Sequence, residues 1–92
     1  MRGAWRLPTV RFMPTLGAVF PRNVRAERVR RDLTQDDLGD RLGWSRSKVA
    51  DLETGRTTLR ADDLAPICKA LGVTLARLAE GADPEDVEAL GI

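Results

Sequence analysis

From Asn23 onward the apolar positions recur three and four residues apart, the spacing of one face of a helix. Leu38 and Leu42 form one such pair, Val49 and Leu52 another, and Leu64, Ile67 and Leu71 a longer run. Thr34, Ser45 and Thr74 each stand where a helix should begin, with an apolar residue just before (Leu33, Trp44, Val73) and another four places in (Leu38, Val49, Leu78). This is a side-chain cap inside a hydrophobic staple. Asp37 adds a carboxylate at the third helical position after Thr34, able to reach back to the cap. Gly43, Gly55, Gly72 and Gly81 follow these runs, as stop signals do. Asp83 followed by Pro84 opens a last helix. The pattern predicts helices over about 23–32, 35–42, 46–54, 61–71 and 75–80, with a short sixth over about 84–90. Pro66 falls inside the fourth, where it removes a hydrogen bond and is expected to kink or delay the helix. No stretch alternates as a strand does.

The fold class expected is therefore all-α: a compact bundle of about five short helices containing a helix-turn-helix, preceded by an irregular leader. Residues 1–21 carry Pro8, Pro14 and Pro21 without helical periodicity and are read as that leader. Residues 22–82 are read as the helical domain and 83–92 as a short C-terminal helix. Ninety-two residues suffice for one domain. Tyr is absent and aromatics make up only 4%, so Leu, Val, Ala and Ile must build the core.

One Cys, Cys68, and no His leave no zinc site and no His-based triad. Cys68 sits among Leu64, Ile67 and Leu71 and reads as a small core residue rather than a redox sensor. No apolar run approaches the roughly 20 residues that cross a bilayer. With no phosphate loop, metal cluster or nucleophile–base pair, an enzyme is the weakest reading, and no cofactor or membrane partner is expected. A single Cys and the absence of a signal peptide suit the cytoplasm.

The net charge of +1 conceals an asymmetry: residues 1–31 hold eight Arg against one Glu, while the remainder is acidic. A basic arm suits a polyanion, and residues 1–12 are either such an arm or a solvated Arg-rich tail. Val87, Leu90 and Ile92 form an apolar stripe that either completes the core or makes a dimer seam.

The second and third helices are short and joined by a tight turn at Gly43 and Trp44. Their apolar faces can bury only against each other and a third helix, the geometry of a helix-turn-helix. Gly39 lies where they cross, and a residue that small permits close approach. Trp44 reads as a staple and turn filler, with a contact to DNA as the alternative. Opposite Val49 and Leu52, at about 100° per residue, the third helix carries Ser47, Asp51 and Thr54, with Ala50 on the flank and Arg46 at the tip. Hydrogen-bonding groups on the outer face of a short helix suit major-groove readout. Arg46 can grip guanine with its planar fork, Ser47 can donate or accept, and Asp51 can only accept.

Leu33, Thr34, Gln35, Leu38, Gly43, Ser45, Val49, Glu53 and Gly55 at this spacing resemble the lambda repressor and Cro-like helix-turn-helix family, also called the xenobiotic-response-element type. The resemblance runs over residues 24–78. It implies base contacts from Arg46, Ser47 and Asp51, with Ala50 beside them. It implies phosphate contacts from Gln35 at the start of the second helix, from Ser45, and from the loop residues Arg56, Thr57, Thr58 and Arg60; Lys48 and Thr54 are assigned to phosphate with them. It also implies a structural ion pair between Arg28 and Glu53. Three positions depart from the family pattern: Gly39 replaces the usual alanine, Leu59 a frequent proline, and Glu27 stands where an apolar residue is common. Some of Arg22, Arg25, Arg30 and Arg31 are expected to extend the contact.

The function expected is sequence-specific transcriptional regulation, as a repressor of bacterial or phage type that binds double-stranded DNA as a homodimer. Its rivals are an antitoxin that binds a protein partner and regulates itself, and a phage accessory protein that bends DNA.

Overall fold

The structure is a computed structural model and describes residues 15–89 and 91. Six helices follow one another: α1 Leu16–Arg30, α2 Gln35–Leu42, α3 Arg46–Glu53, α4 Ala61–Leu71, α5 Leu75–Leu78 and α6 Pro84–Ala89. The described residues contain no strand. Leu90 and Ile92, two of the three residues of the expected C-terminal stripe, lie outside them, as do residues 1–14. No helix among the described residues is long and apolar enough to cross a membrane.

The caps form as the sequence predicts. The Thr34 hydroxyl accepts from the Asp37 N–H at 3.0 Å while the Asp37 carboxylate accepts from the Thr34 N–H at 2.9 Å, a complete capping box. Ser45 accepts from Lys48 N–H and Thr74 from Arg77 N–H, each at 3.1 Å. Gly43 and Gly72 end α2 and α4 with φ of 72° and 68°, a left-handed conformation that costs glycine little. Asp83 accepts from the Glu85 N–H through its side chain at the head of α6.

The first helix differs from expectation. It begins at Leu16, not near residue 23, so residues 16–21 of the expected irregular leader are helical. The six helices of the described residues match the predicted five and a short sixth, but the first is 15 residues long rather than short. Thr15 caps it by accepting from the Ala18 N–H at 3.3 Å. Pro21 sits inside the helix and is buried. A proline there removes one hydrogen bond, but the same turn buries Val19, Phe20 and Val24. Burial of that apolar face offsets the local penalty, because tertiary packing supplies most of a helix's stability. Pro66 likewise stands inside α4 without delaying its start at Ala61.

The core is built from Phe20, Val24, Leu38, Val49, Leu52, Ile67, Leu71, Leu78 and Ala79, with Leu33, Leu42, Trp44, Cys68, Val73 and Val87 packed against it. Val87, half-buried, thus packs against the core of the monomer. Burial raises the Cys68 thiol pKa, which makes it a poorer nucleophile. Helix α3 packs on both α2 and α1, α2 packs on α4, and α5 packs on α1 and α4.

Candidate nucleic-acid interface

Helices α2 and α3 meet at Gly39. A Cβ on this residue would lie 2.6 Å from the carbonyl oxygen of Trp44 and 3.6 Å from a Val49 methyl. The Trp44 N–H donates to the Gly39 carbonyl at 2.8 Å. The backbone of the turn thus presses onto α2 where the usual alanine would stand, which accounts for the glycine.

A buried ion pair holds the other end of α3. The Arg28 guanidinium grips Glu53 through two N–H groups, Nε to Oε2 at 2.6 Å and Nη2 to Oε1 at 3.1 Å. Its Nη1 donates to the Leu33 carbonyl at 2.7 Å. The side chains are only 11% and 1% exposed, so each charge depends on the other. Gln35 joins them, its Nε2 donating to Glu53 Oε1 at 3.2 Å. One of the two amide hydrogens expected to face phosphate is therefore directed inward; the other remains.

With α3 fixed at both ends, its burial divides cleanly. Val49, Leu52 and Glu53 face inward, Arg46, Ser47 and Lys48 are exposed, and Ala50 and Asp51 are half-buried along the edge. Among the described residues, Arg46, Ser47 and Asp51 have no side-chain partner. The Ser45 hydroxyl accepts the cap bond and keeps its own hydrogen to donate. Thr54 differs: its hydroxyl donates to the Ala50 carbonyl at 2.9 Å, a bond that a phosphate oxygen would have to replace. Arg56, Thr57, Thr58 and Arg60 lie exposed in the loop after α3. Gly55 turns that loop back with φ of 75°. The Arg56 N–H donates to the Asp51 carbonyl at 2.8 Å, which anchors the start of the loop.

Several side chains take roles that pattern alone did not show. Glu27 is buried and accepts from Arg31 at 2.6 Å and Arg77 at 3.0 Å, with Arg30 at 3.6 Å. The Arg31 bond above all holds its carboxyl below the ordinary value, against the opposing effect of burial and with help from Arg77. A charged residue fits the apolar position because arginines surround it. Arg30 and Arg31 are thus tied to Glu27, whereas Arg22 and Arg25 are exposed with no partner among the described residues. Asn23 donates to the Leu78 and Glu80 carbonyls at 2.7 and 2.9 Å, closing the end of α5. Arg41 donates to the Ala70 carbonyl at 2.8 Å. The Lys48 ammonium lies 4.2 Å from the centroid of the Trp44 ring.

Residues 21–81 match the helix-turn-helix domain family. The chain belongs to that family, in its lambda repressor and Cro-like branch. Its members are DNA-binding transcription regulators and not enzymes. A crystal structure of the clp gene regulator ClgR from Corynebacterium glutamicum superposes with a TM-score of 0.67 at 26% identity, over 86% of this chain and 92% of that one. The hypothetical transcription factor NHTF from Neisseria gives a TM-score of 0.66 at 27% identity, over 85% and 91%. No curated protein has a matching sequence. In helix-turn-helix terms, α2 and α3 are the paired helices and α3 is the recognition helix.

Proposed function

We propose that this helix-turn-helix protein is a transcriptional repressor of bacterial or phage type, which binds a two-part operator as a homodimer in the cytoplasm and needs no cofactor. The observation that carries this reading is the unpartnered polar surface of α3. Arg46 and Ser47 are exposed and Asp51 lies half-buried at the edge of a helix clamped at both ends, which is the preorganised donor and acceptor array that a base edge requires. Ala50 lies beside them, small enough to let the groove wall approach. The Ser45 hydroxyl, the second Gln35 N–H, Lys48, Arg56, Thr57, Thr58 and Arg60 flank that surface and fit phosphate contacts, which fix register without reading sequence. Thr54 joins them by exchanging its bond to Ala50 for one to phosphate. ClgR is a gene regulator and NHTF a hypothetical transcription factor, and both likenesses support a regulatory role. Half-sites are expected roughly 34–36 Å apart, or a multiple of that.

Selection of bound sites from random duplex DNA, repeated with Arg46→Ala, tests the reading. Arg46→Ala should lower affinity for the selected site by about 1–3 kcal/mol and relax preference at one base position. Arg56→Ala should weaken selected and scrambled DNA alike and reduce the salt slope by about one. Equal losses of Arg46→Ala on selected and scrambled sites would remove Arg46 from base readout.

A further inference from the structure

We propose that Trp44 is a positioning residue for DNA binding: its indole face holds the Lys48 ammonium in place for a backbone phosphate at the leading end of α3. This rests on the DNA-binding reading above and goes beyond it, since it gives Trp44 a role through Lys48 rather than as turn filler or as a direct contact with DNA.

The platform is rigid. The Trp44 N–H is bonded to Gly39, its carbonyl is seated against the same residue, and its half-buried ring packs on the core. Lys48 is fixed at its backbone by the Ser45 cap, while its side chain is exposed. A lysine on a free surface samples many rotamers and loses that freedom when it meets a phosphate. Here the ammonium lies 4.2 Å from the ring centroid, well inside the roughly 6 Å over which the negative face of an aromatic ring attracts a cation. The contact occupies one side of the ammonium, and a group with three N–H donors can bond on its other side as well. A phosphate oxygen can therefore be met without lifting the chain off the ring, and part of the ordering cost is met before DNA arrives.

A double-mutant cycle on the full chain tests this, using a mixed-sequence duplex of about 30 base pairs across a salt titration. Lys48→Met should weaken binding and reduce the salt slope by about 0.9. Trp44→Met should weaken binding about threefold with the slope unchanged, because the phosphate contact survives but is no longer prearranged. Added to Lys48→Met, the same Trp44 change should cost nothing more. Trp44→Phe keeps a smaller ring and serves where the aliphatic variant does not fold; its loss should be smaller and should also vanish without Lys48. An equal cost for the Trp44 change with and without Lys48 overturns the proposal, because it marks a structural role or a direct contact of the ring with DNA. So does no cost when Lys48 is present. A wild-type protein that ignores duplex DNA at low salt removes the DNA-binding reading itself, and this proposal with it.

Discussion

At the scale of single residues, the interface depends on backbone approach as much as on side-chain chemistry. Gly39 shows this. Elsewhere in a helix interior, alanine for glycine gains up to about 1 kcal/mol. Here the new methyl would meet the Trp44 carbonyl oxygen at 2.6 Å, and that oxygen belongs to a turn pinned on both sides. Gly39→Ala should therefore lower stability by a net of about 1–2 kcal/mol, overpacking outweighing propensity. Chemical denaturation measures it, and a stabilised variant would show that the turn yields easily. The sequence marked Gly39 as a site of close approach, but it could not say what approached, since the neighbour is main chain rather than a side chain with a pattern of its own. Thr54 and Gln35 teach the same lesson. Their polar groups suit phosphate by type, yet Thr54 spends its donor on Ala50 and Gln35 one of its two on Glu53.

At the scale of elements, α3 is short, with eight residues from Arg46 to Glu53, and such a helix is marginal without help. Its help comes from the Ser45 cap at one end and the Arg28–Glu53 pair at the other. The two proposed duties of Ser45, cap and phosphate donor, are separable. Ser45→Ala should cost about 1 kcal/mol of stability through the lost cap. Ser45→Asp should keep the cap and recover that stability, yet bind DNA more weakly than wild type because a carboxylate repels phosphate. Thermal unfolding and a binding titration on the three proteins separate the effects. Full DNA affinity in Ser45→Asp would remove Ser45 from the phosphate contacts.

At the scale of the whole molecule, Glu27 ties α1 to α5 through Arg77 and to its own helix through Arg31. Its carboxyl titrates below the ordinary value of 4.5 in the folded protein. The unfolded chain therefore takes up the proton first as pH falls. The stabilisation is complete above the ordinary carboxylate value and is lost as pH drops through the lower folded value. Asp37 shifts in the same sense, chiefly through the Thr34 backbone N–H. The melting temperature should fall between about pH 5 and about pH 3, and Glu27→Gln, already less stable at neutral pH, should fall less over that range. Parallel curves for the two proteins would place the acid sensitivity elsewhere.

The starts of the helices from residue 35 onward, the side-chain caps at Thr34, Ser45 and Thr74 and the exposed tip of α3 at Arg46 and Ser47 were legible in the sequence, whereas α5 ends at Leu78, two residues before its expected end. Each is set by residues within one or two turns of one another, through side-chain caps, glycine stops and the period of apolar residues. The start of α1 was not legible, because Pro21 argues locally against a helix, and burial of Phe20 and Val24 in the common core decides otherwise. The bond of Glu27 to Arg77, those of Asn23 to the end of α5 and that of Gln35 to Glu53 were settled only when the helices packed. Such bonds join residues up to 57 positions apart, and no local pattern encodes which of them will meet.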